Sequence, residues 1–232
     1  MKDWRAFWDG EHPIYAGERH RRAHDRLVAR DIAALMPTGH PVVLDYGCGE
    51  AGHAMVLAPL CARLLLCDAA PTLRERLRSR FAGSSTVAVL APEECGGLSP
   101  GSVDFAVMNS VAQYMSRDGL VATLGVIRRL LRPDGRLVLG DVIPGTSGAF
   151  DDIGALLRFA RDDGFLLEAL AGLARTVVSP YRRLRREIGL SRYDEAGMLA
   201  LLRDTGFAAR RLPRNIGHNQ RRMSFEGRVA KT

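Results

Sequence analysis

Lysine is almost missing from this chain: Lys2 and Lys231 are the only two among 33 basic residues, so its positive charge is nearly all arginine. Cysteine is sparse as well. Cys48, Cys61, Cys67 and Cys95 form no Cys-x-x-Cys pair, and the six histidines show no zinc-finger spacing. That pattern excludes a disulfide framework and a zinc module, so buried structural thiols and no metal are expected. No apolar run approaches the roughly 20 residues that cross a bilayer. The stretch Met1 to Trp8 holds no uninterrupted apolar segment of the signal-peptide kind, which points to the cytoplasm. There is no internal repeat and no low-complexity tract. The 232 residues, 47% hydrophobic and 25% charged, are therefore expected to form one globular domain.

What is present is regular. Leu27, Ala29, Ile32, Ala33 and Leu35 recur at helical spacing among charges, predicting a helix over 17–36 that stops at Pro37-Thr38-Gly39. Short apolar runs then alternate with helical patterns. Strands are expected at 41–46, 63–68, 86–90, 103–108 and 136–141, with helices at 51–60, 71–82 and 117–131. Such alternation implies right-handed crossovers and a parallel sheet buried on both faces. About fifty mainly helical residues follow, 148–190, then a helix over 194–205. Two strands at 207–213 and 222–230, joined by a short connection, read as an antiparallel pair.

The motif that carries chemistry is Val42-Val43-Leu44-Asp45-Tyr46-Gly47-Cys48-Gly49. A buried strand ends in an acid, and two glycines then form a tight turn into a helix. Such a turn admits a ligand close to the backbone, with no Cβ in the way. A second strand tip carries Asp68, placed to hold a ribose diol. The turn also fits a dinucleotide fingerprint through Gly52. Asp45, however, would lie close to a pyrophosphate and repel it.

Together these residues resemble class I S-adenosylmethionine-dependent methyltransferases. Val43 to Gly49 is similar to that family's Asp-x-Gly-x-Gly motif, and Asp68 to its acid after strand two. Ser102-Val103-Asp104-Phe105-Ala106-Val107 resembles its fourth-strand motif, and Leu130 to Leu137 its turn before strand five. The resemblance implies a Rossmann-like α/β fold: a seven-stranded, mostly parallel sheet with one antiparallel C-terminal strand and helices on both faces. It implies S-adenosylmethionine as cofactor, held by Asp45, Gly47, Gly49, Asp68, Ala69 and Asn109. Glu93, in the loop after strand three, is the candidate for the adenine amine. Two departures stand out: Ala51 occupies a place where the family usually has glycine, and Pro92 stands near its adenine-side acid. In such enzymes an N-terminal segment closes over the cofactor and often supplies a Tyr and an Arg to its carboxylate. Here those are Tyr15 and Arg19, i and i+4 if the helix starts early.

The resemblance divides the chain into lid helices (1–36), a cofactor core (40–145), a helical insertion as substrate cover (148–190) and a C-terminal helix with a strand pair (191–232). Adenosylmethionine is already activated, so positioning alone can carry much of the rate. No base is marked by spacing. His218, Tyr114 and His12 are the candidates by position. The expected reaction is methyl transfer to an O or N nucleophile of a small organic metabolite. A lipid headgroup is the second reading, because the basic run Tyr181 to Arg186 suits weak contact with an anionic membrane surface. Readings from another class are a nicotinamide oxidoreductase or an inactive cofactor-binding module. The net charge of +7 fits nucleic acid, but no RNA-binding appendage or basic-aromatic platform accompanies it, which argues against that partner.

Overall fold

The computed structural model describes residues 8–9, 15–146, 148–176 and 189–230. His12 and the basic run 181–186 lie outside the described residues.

Helix α1 (Glu18–Leu35) leads into β1 (Val42–Tyr46). The short α2 (Ala54–Leu57), extended by a 3-10 turn at Ala58–Leu60, precedes β2 (Arg63–Cys67). Then come α3 (Pro71–Arg80), β3 (Val87–Leu90), α4 (Pro92–Gly96), β4 (Val103–Asn109) and α5 (Arg117–Leu130). Strand β5 (Leu131–Val142) is followed by α6 (Ala149–Asp162), α7 (Leu166–Thr176) and α8 (Glu195–Asp204). The last strands are β6 (Phe207–Arg211) and β7 (Met223–Val229).

All seven strands form one sheet in the order β3-β2-β1-β4-β5-β7-β6. The first five are parallel, and β7 runs antiparallel to both neighbours. Side-chain alternation loads both faces. Leu44, Leu65, Leu137 and Leu139 pack with Leu120, Leu124 and Ile127 of α5 and Met198 and Leu202 of α8. Val43, Leu64, Leu66 and Val138 pack with Val28 and Ile32 of α1 and Leu73 and Leu77 of α3. A third cluster joins the insertion to the N-terminal helix through Ala23, Phe159, Ala160, Phe165 and Ala169.

Two elements differ from the sequence expectation. The helix expected over 51–60 begins only at Ala54 and gives way to the 3-10 turn after Leu57. Ala51 is held at φ +46, a left-handed conformation that no helix continues, and Pro59 ends the run. Strand β5 starts at Leu131, five residues earlier than expected. Leu131 pairs with Val103, and the ladder then shifts register, so exposed Arg132-Pro133-Asp134 bulges out of it.

Candidate functional site

The site is built at the carboxyl ends of β1, β2 and β4. After Tyr46 the chain turns through Gly47 (φ +78) and Gly49 (φ +55). The amides of Gly47 and Cys48 donate to the Cys67 carbonyl at 2.7 and 3.1 Å, tying the turn to the end of β2. A Cβ on Gly47 would overlap the Val111 side chain, so the loop after β4 sits directly against the turn. A Cβ on Gly52 would overlap the Asp25 carboxylate, so α1 closes on the other side. At Gly49 a Cβ would meet nothing within 4 Å, because that position faces open space.

Asp68 stands one residue past β2. One carboxylate oxygen accepts the Gly49 amide at 3.0 Å, and the other accepts the Ala70 amide at 2.9 Å. Each oxygen keeps a lone pair for a further donor. Burial raises its pKa, with the Asp45 charge adding to this, while the Ala70 and Gly49 amides oppose it.

Asp45 is buried, and its Oδ2 lies 2.6 Å from His53 Nε2. Burial pushes the His53 pKa down. The charge and hydrogen bond of Asp45, with Asp25 beyond, outweigh this and hold it above the ordinary value. Asp45 is therefore committed on one side to a side chain of its own loop. The pairing lacks a local sequence signature, since eight residues of irregular turn separate the partners.

These groups border a cavity of about 290 Å³. Asp45, Gly47, Gly49, Asp68, Ala69, Asn109, Tyr15 and Tyr114 all line it. Glu93 does not: it is exposed on α4, while Pro92 lines the wall. Glu94, also exposed, accepts the Ala91 amide and caps α4. Arg19 is likewise absent from the lining and sits exposed, 3.7 Å from Glu168 of α7. The helix starts at Glu18, after an extended Gly17, so Tyr15 precedes it and the i, i+4 relation does not hold. His218 lies behind the lining and stacks on Phe159, with centroids 4.9 Å apart and planes at 9°.

Sequence reasoning did not single out Trp8, His24, Asp25, His53 or Met115 as lining residues. His24, Asp25, Val28 and Ile32 are one face of α1. Their helical spacing was the available signal, and it reads equally as core. Trp8 meets Tyr114 edge to face at 5.3 Å. Tyr15 approaches His24 at 5.5 Å, and burial, then Asp25 and Glu50, raise its phenol pKa. Behind them, burial and mutual repulsion hold His24 at about 4, and burial, then His20 and Arg222, do the same for His218.

The floor near β5 is a charged knot. Arg222 donates to Asp141 at 2.6 Å and to Asp152 at 3.1 Å. Ser110 donates to Asp141 at 2.5 Å, and the Asp141 amide donates to Asn215 at 3.0 Å. Burial works against the Arg222 charge, but the two carboxylates raise its pKa.

The charge of the cavity is opposite to that of the chain. Among the described residues Asp25, Asp45, Glu50 and Asp68 line it, and no Arg or Lys does. A pyrophosphate would find no cation there. A nucleoside bearing a sulfonium and an ammonium finds compensating charge. Asn109 also borders the cavity, with its side-chain oxygen buried against Gly140. The residues present fit that nucleoside. No group of three His, Cys, Asp or Glu among the described residues could hold a metal ion.

Residues 44–139 match the family described as "Methyltransferase domain". No curated protein sequence matches the chain. Among solved structures, the YcgJ protein from Bacillus subtilis is 18% identical, with 82% of this chain and 71% of that one covered and a TM-score of 0.56. The 1,6-didemethyltoxoflavin-N1-methyltransferase of Burkholderia thailandensis, solved with 1,6-didemethyltoxoflavin and S-adenosylhomocysteine bound, is also 18% identical. It covers 89% of this chain and 78% of its own at a TM-score of 0.55. At such identities the structures speak for the fold. Residues 44–139 thus carry a match to a methyltransferase domain, set in a fold shared with solved methyltransferases.

Proposed function

We propose that the chain binds S-adenosylmethionine and methylates an O or N nucleophile of a small organic molecule, chiefly by holding it in line with the cofactor. The observation that supports this is the aromatic part of the cavity lining: Trp8, Tyr15, His24, Tyr114 and Met115 border it together with the glycine turn, an enclosure suited to a compact ligand. Asp68 holds the ribose hydroxyls, and Gly47, Gly49 and Asp45 border the methionine end. Ala69 lies along the adenosine, Asn109 borders the ligand, and Tyr15 closes the entrance. The cofactor supplies a methyl group on a sulfonium leaving group. The protein supplies orientation and excludes water.

In this reading the segment before α1 is a lid and α6–α7 are the substrate cover. Deleting residues 1–20 removes Trp8 and Tyr15 and should abolish S-adenosylmethionine binding in calorimetry. Unchanged affinity would sink the lid. Homocysteine release over a panel of small hydroxyl and amine acceptors tests the reaction itself.

A lipid headgroup has one observation in its favour. Leu166, Leu167 and Leu170 of α7 are exposed, Leu167 at 83%, a few residues before the basic run 181–186. Liposome flotation at low and moderate salt separates the two readings. Among the described residues, no helix is long and apolar enough to cross a membrane.

A further inference from the structure

We propose that His24 is the proton acceptor of the reaction and that the acceptor substrate is a neutral hydroxyl compound, a phenol or an enol. The proposal rests on reading the aromatic part of the cavity as the substrate pocket.

Four histidines lie in the cavity wall or behind it, and three are already committed. His53 Nε2 is held by Asp45 at 2.6 Å. His20 Nδ1 accepts the Ala16 amide at 3.1 Å, and its ring stacks on Phe165 at 4.9 Å, behind the lining. His218 is stacked on Phe159 and does not line the cavity. His24 does line it. Its contacts are ring contacts, to Tyr15 at 5.5 Å and His218 at 6.2 Å. Among the described residues neither of its ring nitrogens makes a hydrogen bond. It is half-buried, with the cavity on its open side.

The cavity's own charges select the acceptor. Among the described residues no Arg or Lys lines it, and His53, whose pKa is raised, is already paired with Asp45, so no free side-chain cation holds a substrate that arrives as a phenolate, enolate or carboxylate. A hydroxyl compound must enter neutral and lose its proton within the site. As the C–O bond forms, the S–CH3 bond breaks and its electron pair stays on sulfur. The O–H proton passes to a His24 ring nitrogen, and one positive charge moves from sulfonium to imidazolium. A protonated ether is a far stronger acid than any imidazolium, so a weak base is enough. The groups that bear on His24 are His218 from the β6–β7 loop, Asp141 from the end of β5, His53 before α2 and His20 on its own helix. Burial and the three histidines hold its pKa near 4, against Asp141. The ring is therefore neutral and ready at pH 7, and it gives its proton back to water quickly. An amine is the wrong partner for such a base: it arrives protonated, with a pKa of about 10, and His24 does not strip it.

The test uses the full chain, wild type and His24→Asn, with three readouts. S-Adenosylhomocysteine affinity by calorimetry is expected to agree within about threefold. The ring of His24, followed by NMR with nitrogen-15-labelled histidine, is expected to stay neutral from pH 8 to about 5. Transfer from methyl-labelled S-adenosylmethionine is measured on catechol, phenol and acetylacetone, with benzylamine and cyclohexylamine as controls. The hydroxyl compounds are expected to react. In the variant kcat falls roughly 100-fold or more with KM little changed, and the remaining rate climbs tenfold per pH unit as the free phenolate grows. Wild type stays flat over the same range. Equal kcat in wild type and variant, a His24 ring charged at pH 7, or transfer to amines alone overturns the proposal. In the last case the pocket reading survives. Absence of transfer to either class, with the cofactor bound, takes the pocket reading down with it.

Discussion

His24 and His218, both half-buried, make the fold sensitive to mild acid, and the size of the effect follows from the structure. His24 and His218 are each held at about 4, against 6.5 for a free imidazole. Between those values the unfolded chain binds a proton at each position and the folded chain does not. Stability is therefore complete above pH 6.5 and is lost as pH falls toward 4. Integrated from pH 6.5 to 5, the loss is about 1.6 kcal/mol per ring and about 3 kcal/mol for the pair. That is a large share of a typical margin of roughly 5–15 kcal/mol. His53 does not confuse this window. Its pKa is raised, so its contribution is present in full below 6.5 and fades only as pH rises through the folded value. Urea unfolding of the cofactor-free protein, followed by circular dichroism at several pH values from 8 to 5, gives the profile. His218→Gln should lose about half the pH dependence. The double variant with His24→Gln should keep only the residual slope of His20, whose pKa burial also lowers, above the range where carboxylates titrate. A double variant that falls as steeply as wild type would refute the reasoning.

Four further outcomes are expected. Gly47→Ala forces a Cβ into Val111 at φ +78 and should weaken S-adenosylhomocysteine binding at least tenfold in calorimetry. Gly49→Ala points into open space and should cost the fold only about 1–2 kcal/mol of backbone strain. Asp68→Ala removes the acceptor of the Gly49 and Ala70 amides together with the proposed ribose contact. At about 1.5–3 kcal/mol for a charged hydrogen bond, affinity should drop roughly 10- to 100-fold by the same measurement. Arg222→Met strands Asp141 and Asp152 without their cation and should cost about 3–5 kcal/mol in urea unfolding.

The sheet was legible because buried parallel strands write continuous apolar runs, and because a short connection between 207–213 and 222–230 forces antiparallel pairing. The turn at Gly47 and Gly49 was legible because its positive φ values restrict residue type. The partners of the turn were not. His24 and Asp25 reach the cavity from a helix whose pattern looks like ordinary core, and their role depends on how α1 docks. The Asp45–His53 pair depends on Ala51 taking a left-handed conformation where glycine was the expectation. Glu93 and Arg19 are exposed and stand outside the lining, because which side of a short helix faces the cavity depends on docking that sequence position alone does not resolve.

The strand order carries a consequence for how the chain is made. β7, which follows β6 in the chain, is inserted between β5 and β6 rather than added at an edge. While the chain emerges from a ribosome, β5 therefore presents a bare ladder of unpaired amides and carbonyls until β7 is made, and β6 has nothing to join. The five parallel strands wait beside an open edge that invites pairing with another nascent chain. Protection comes only when Met223 to Val229 slots in and closes both ladders together. Loss of that one segment would thus uncover β5 and detach β6 with it.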